Sequence, residues 1–133
     1  MRRFLFSVGA MLLVGCGAEV PDVPEGDTVS YSAHLEPLVI AHCLGCHESE
    51  EPKAKLILES GVGYDRLVGR RSVQVPKMAL VEPGYPDASY LWLKLQHLAP
   101  EGKGMPRTLT GTKKLRPTEL ELYRRWIEDG AKP

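Results

Sequence analysis

The run Cys43-Leu44-Gly45-Cys46-His47 constrains this 133-residue chain more than any other stretch. It sets two thiols three positions apart and follows the second with an imidazole. So short a turn brings both sulfurs to one side of the backbone and fixes the direction of the next side chain. Whatever the pentapeptide grips must then lie against it. The chain has three cysteines, and the third, Cys16, sits far away in an apolar N-terminal stretch. A disulfide framework or a zinc ribbon needs a second cysteine pair. A thioredoxin-like Cys-x-x-Cys belongs after a strand in a βαβ unit, and no such alternation is readable here.

Cys-x-x-Cys-His is the pattern of covalent haem attachment. Two thiols at this spacing can add across the two vinyl groups on one haem edge, and the following imidazole then points toward the iron. Gly45 keeps the turn between the thiols unobstructed. The sequence therefore predicts one haem c held by Cys43 and Cys46, with His47 as an iron ligand. A local zinc site from His42, Cys43, Cys46 and His47 would crowd four donors into six residues, which strains tetrahedral geometry.

A haem iron that carries electrons usually takes a second axial ligand. The candidates are Met78, Met105, His34, His42 and His97. His34 and His42 closely precede the pentapeptide and cannot easily reach the opposite haem face. Met78, in Val-Pro-Lys-Met-Ala-Leu-Val, reads more simply as a core or loop residue. His97 ends a predicted helix, where histidine commonly meets the last carbonyls. Met105 lies in Glu-Gly-Lys-Gly-Met-Pro-Arg, a glycine-rich loop stiffened by Pro106, and is the strongest candidate. His97, Met78 and an open sixth position remain alternatives.

The N-terminus reads as an address. Arg2 and Arg3 precede an apolar run from Phe4 to Val14, shorter than the roughly 20 residues a membrane-spanning helix needs. Leu13-Val14-Gly15-Cys16 resembles a lipobox, with Cys16 as the lipidated residue. Residues 1–15 are then a lipoprotein signal peptide, 16–30 a lipidated cysteine and flexible Pro-rich acidic tether, and 31–133 the folded domain. The expected location is exported and membrane-anchored on the periplasmic face. Gly17, where an Asp would mark inner-membrane retention, favours the outer membrane. A formal net charge of zero gives no reason to expect nucleic-acid binding.

Eleven prolines and thirteen glycines break the chain into short elements. Leu35, Leu38, Val39 and His42 share a helical face, with Pro37 in the first turn, so a helix should start near Glu36 and enter the pentapeptide. A short helix is expected at Tyr64 to Val68 and a longer one at Asp87 to Leu98. The last helix begins at Pro117, with Thr118 and Glu121 as a capping box and Gly130 as the stop. Glu121 with Arg125, and Arg124 with Glu128, should pair on its outer side. Glu82 and Lys94 read as solvated surface. No strand pattern is evident, so the expected class is all-α: short helices packed around one covalently bound haem.

In order along the chain, several segments resemble the planctomycete/myxobacterial-type single-haem branch of the cytochrome c superfamily. They are Leu35-Glu36-Pro37-Leu38-Val39 with the pentapeptide, Tyr64-Asp65-Arg66-Leu67-Val68-Gly69, Val81-Glu82-Pro83-Gly84-Tyr85-Pro86, Gly104-Met105-Pro106, and Arg125-Trp126-Ile127-Glu128-Asp129-Gly130-Ala131. The resemblance implies His47 and Met105 as axial ligands. The chain departs from that branch at Arg107, where a second proline commonly follows, and at Tyr85, where Asp is usual. The expected function is one-electron transfer between redox partner proteins, without enzymatic activity. The alternatives are an open-coordination haem protein, either gas sensor or peroxidase-like, and a haem-free lipoprotein with a binding role.

Overall fold

The computed structural model describes residues 19–133. The predicted signal peptide and the lipidation candidate Cys16 lie outside the described residues. Ser30 starts the first helical segment: its side chain accepts a hydrogen bond from the Ala33 amide at 3.4 Å. A π-helical turn, Tyr31–Leu35, leads directly into α1, Glu36–His42. The predicted start near Glu36 is where α1 begins, and Pro37 occupies its first turn, where a missing N–H costs nothing. Leu35, Leu38 and Val39 are buried, as their spacing requires.

Helix α1 ends at Cys43, and a 3₁₀ turn, Leu44–Cys46, carries the chain to His47. A short α2, Gly63–Leu67, follows. Its Gly63 lies so close beneath the Tyr31 hydroxyl that any Cβ there would collide with it. Helix α3, Tyr90–Gln96, and helix α4, Pro117–Glu128, complete the α-helices among the described residues. Helix α4 buries Leu122, Tyr123, Trp126 and Ile127. Gly130, at φ +93°, ends it in the left-handed region where a Cβ would be strained.

The two ends of the domain are stitched together. Trp126 Nε1–H and the Tyr31 amide both donate to the Lys132 carbonyl, at 2.7 and 2.9 Å. The Tyr31 and Trp126 rings pack at 5.7 Å between centroids, and Tyr31 meets Tyr64 edge-on at 5.8 Å. Burying one aromatic of this size stabilises the fold by about 3 kcal/mol, so this cluster is a principal anchor of the core.

The expected all-α class is not what the chain adopts. Most described residues lie outside helices, in turns and coil, and a small antiparallel pair is present. Strand β1, Arg107–Thr108, pairs with β2, Gly111–Thr112, in the register Arg107 to Thr112 and Thr108 to Gly111. Further extended segments meet through isolated bridges, Val68 with Val81 and Ala79 with both Arg71 and Ser89. Prolines and glycines keep the helices short, and two-residue strands are too brief to leave an alternating pattern in the sequence.

Helix α3 also starts later than predicted. Pro86–Ala88 forms a separate 3₁₀ turn, and Ser89 is extended. The buried Ser89 hydroxyl explains this, because it accepts from the Glu82 amide at 2.8 Å and donates to the Tyr85 carbonyl at 2.9 Å. That bonding ties the residue to the preceding loop rather than to a helical turn. The cap of α4 differs too. Its third residue is Glu119, whose carboxylate accepts the Arg116 amide at 2.7 Å, so Thr118 and Glu121 do not form the box. On the outer face Arg124 pairs with Glu128 at 2.8 Å, as expected, and approaches Glu121 at 3.8 Å. Arg125 instead donates to the carbonyls of Val23, Pro24 and Asp27. The segment before Ser30 is thereby held against α4, with Val20 and Val23 packed on the core.

Candidate functional site

The pentapeptide is positioned by its own backbone. The Cys43 amide donates to the Val39 carbonyl at 2.8 Å, Cys46 to Cys43 at 3.1 Å, and His47 to Leu44 at 2.9 Å. This chain of short-range bonds winds the end of α1 into the 3₁₀ turn and sets Cys43, Cys46 and His47 in one coil. Neither Cys43 nor Cys46 is in a disulfide, and Cys46 is exposed while Cys43 is largely covered. Burial, followed by the nearby Cys46, pushes the Cys43 thiol up to about 12. These surroundings favour the protonated thiol of Cys43.

His47 is buried, at 7% exposure. Its Nδ1–H donates to the Leu56 carbonyl at 3.1 Å, an acceptor that fixes the tautomer. In the neutral ring Nε2 then carries the lone pair, the tautomer a metal-binding histidine needs. Burial lowers the ring's proton affinity, against the raising effect of hydrogen bonds to the Leu56 and Lys53 carbonyls, and so favours the neutral imidazole. The Leu56 carbonyl reaches the ring because the chain reverses at Ala54 and Lys55, both left-handed at φ +53° and +58°. The Leu58 amide closes the same reversal by donating to the His47 carbonyl at 2.7 Å.

Met105 is half-buried and packs on the same core as Cys43. Its amide donates to the Lys94 carbonyl at 2.9 Å, and its own carbonyl accepts from His97 Nε2–H at 3.1 Å. His97 is thus engaged in supporting the loop that carries Met105. Met78 sits in a tight turn, its amide bonded to Val75 and its carbonyl to Ser72. His34 Nδ1 accepts the Ser30 amide at 2.9 Å, a local contact at the helix start.

His42 turns away from the pentapeptide. Its Nε2 lies 2.9 Å from Glu119 Oε1, an oxygen that also accepts from the Arg116 guanidinium at 2.9 Å. Glu119 is almost wholly covered, at 1% exposure. Burial alone would raise its carboxyl, but bonds from Arg116 and His42 outweigh it and hold it at about 2. This hydrogen-bonded contact joins α1 to α4 behind the pentapeptide and removes His42 from the four-donor zinc arrangement. Among the described residues, no three His, Cys, Asp or Glu side chains are grouped to hold a metal ion, and no helix is long and apolar enough to cross a membrane.

The donor set fits a haem attached through the pentapeptide: two thiols outside any disulfide and a neutral imidazole whose lone pair is on Nε2. The interior beside Cys43 adds a second observation. The hydroxyls of Tyr31 and Tyr123 are buried without a hydrogen-bond partner. Burial first, and then the charge of neighbours that include the Cys43 sulfur, pushes both phenols upward. Two unsatisfied hydroxyls, each costing about 1–3 kcal/mol, mark that interior as suited to a group with polar edges.

Sequence reasoning placed Glu119 in no role and read Lys94 as solvated surface. Lys94 is in fact buried, and its Nζ donates to the Glu101 and Lys103 carbonyls at 2.7 and 3.0 Å. Main-chain acceptors leave no mark in a sequence, so nothing distinguished this lysine from an exposed one. No protein-family model matches the chain, and no curated protein or solved structure matches it either.

Proposed function

We propose that this chain is a c-type monohaem cytochrome, a one-electron carrier in which Cys43 and Cys46 would attach the haem and His47 and Met105 would ligate its iron. The observation that supports the reading best is the state of the pentapeptide: both thiols lie outside any disulfide, and the His47 Nδ1–H is held by the Leu56 carbonyl, which places the lone pair of the neutral ring on Nε2. When bound, haem supplies a one-electron iron couple whose potential the protein sets through axial ligands and burial.

The chain's own residues would do the rest. Cys43 and Cys46 anchor one edge of the group, and the exposed Cys46 keeps that edge near solvent and partner proteins. His47 presents its lone pair in a fixed orientation. Met105 brings a neutral, polarizable sulfur on a loop packed against the core. Lipidation at Cys16 would hold the protein at the exported face of a bacterial membrane, within reach of membrane-bound redox partners.

The test is a visible spectrum of protein produced with a haem-attachment system, together with a pyridine haemochrome assay. The reading expects a c-type α-band on reduction and, when oxidised, the long-wavelength charge-transfer band of iron–methionine ligation. Haem without that band, with carbon monoxide binding to the reduced protein, would identify an open iron suited to gas sensing or peroxide chemistry. Absence of covalent haem would overturn the reading.

A further inference from the structure

The loop before Met105 is held from a single direction. Glu101, Lys103 and Met105 each direct a carbonyl at α3 or the residue that caps it. Lys94 Nζ donates to the first two at 2.7 and 3.0 Å, and the Tyr90 hydroxyl also donates to Glu101 at 2.7 Å. His97 Nε2–H donates to the third at 3.1 Å. The Met105 amide returns a bond to the Lys94 carbonyl at 2.9 Å.

Two glycines let the loop come this close. A Cβ on Gly102, at φ +67°, would stand 2.6 Å from Lys94 Nζ. One on Gly104 would strike the His97 ring. His97 itself adopts φ +63° at the end of α3, which swings its ring back over the loop. The Lys94 ammonium also lies 5.0 Å above the centre of the Tyr90 ring. Burying an ammonium is costly unless it is bonded, so a lysine at this position is retained only with carbonyls to hold.

We propose that Lys94 and His97 are positioning residues for the Met105 thioether, fixing the 101–105 backbone so that the sulfur meets the iron already ordered. The proposal rests on the haem reading above. A thioether is a weak, neutral ligand, and its binding must offset the entropy of ordering whatever chain carries it. A loop tied at three carbonyls and one amide has already lost that freedom. Lys94 and His97 therefore set how far the sixth position favours methionine over an external ligand.

The experiment compares carbon monoxide affinity of the reduced, haem-loaded protein across variants, with the iron–methionine band as a second readout. Met105→Ala defines the fully open iron. Lys94→Met keeps the stem and removes the donors; His97→Phe keeps the ring shape and removes the N–H. Each is expected to raise carbon monoxide affinity on the order of tenfold toward the Met105→Ala value, and to weaken the band, at unchanged haem content. His97→Gln, which restores an N–H donor, should return toward wild type. Gly104→Ala, which displaces the loop without touching Lys94, should act in the same direction and gives a second route if Lys94→Met fails to fold. Wild-type affinity in Lys94→Met, His97→Phe and Gly104→Ala, with Met105→Ala raised, overturns the positioning role and leaves the haem reading intact. No covalent haem, or no change in Met105→Ala, overturns the reading of Met105 and the proposal with it.

Discussion

The pentapeptide and the Met105 loop are supported by different kinds of interaction. Around Cys43 to His47 the bonds are local: amides reach carbonyls three or four residues back, and the ring of His47 finds an acceptor nine residues on. Around Met105 the support comes from side chains of another helix, with Lys94 and His97 binding main-chain oxygens. The first region is encoded in consecutive residues and can form with α1. The second exists only once α3 has packed. A contact set by nearest neighbours in sequence is robust to change elsewhere, whereas one built between elements depends on the whole core.

The sharpest break of this comparison removes the thiols. Cys43→Ser combined with Cys46→Ser is expected to abolish covalent attachment, leaving no haem-stained band after denaturing electrophoresis. If the Met105 loop is separately supported, the variant's exchange protection at the Met105 amide should stay measurable in the folded chain.

A smaller but still large effect is expected from Trp126→Ala, which removes a fully buried ring and the Nε1–H bond to Lys132. A loss of about 3–5 kcal/mol in chemical denaturation is expected, and a loss under 1 kcal/mol would show that the domain's ends are not joined there.

Next in size is an acid effect located behind the pentapeptide. The Glu119 carboxyl is held at about 2 in the folded state, below its ordinary value. A depressed folded value means that its contribution is fully present above the unfolded carboxylate pKa, near 4.3, and is lost as pH falls through about 2. Glu119→Gln should cost on the order of 2–3 kcal/mol at neutral pH and flatten the stability profile across that acid window. An unchanged acid limb of the denaturation profile would show that the pair contributes nothing.

The smallest effect sharpens the account of the His47 acceptor. Ala54 holds φ +53° in the reversal that delivers the Leu56 carbonyl. Ala54→Gly should relieve that strain, giving a change within about 1 kcal/mol of wild type and in the stabilising direction. A clear destabilisation would mean that the reversal is set by other contacts.

The same contrast explains what was legible beforehand. Helix α1 was readable because Leu35, Leu38 and Val39 repeat at helical spacing and Pro37 fits only a first turn. Helix α4 was readable from Pro117 and Gly130 at its ends. Its cap was misassigned because Thr118 is the better capping residue by type, while the chain uses the backbone of Arg116 and the carboxylate of Glu119. The start of α3 was misplaced because Ser89 bonds a loop that no helical pattern reveals. Lys94 and Arg125 were read as exposed or helix-paired because both bind carbonyls, and every residue carries one. The hairpin at Arg107 to Thr112 spans too few residues to display a period. Side-chain pattern therefore reveals where α1 and α4 lie. Side-chain-to-backbone contacts set the remaining connections, and those require the folded chain to be seen.

Arg125 has one more consequence, for reach. It grips the carbonyls of Val23, Pro24 and Asp27, so the peptide past Val23 moves with the globule. If Cys16 carries a lipid, only four positions separate it from Val20, which packs on the core with Val23. Four residues, even stretched straight, span roughly 14 Å. A folded domain so tethered would stay in a thin shell above the bilayer, where it would meet neighbours in the same membrane more often than distant ones. Cutting Arg125 loose would weaken the hold on this segment, and the thickness of that shell would grow with every residue released.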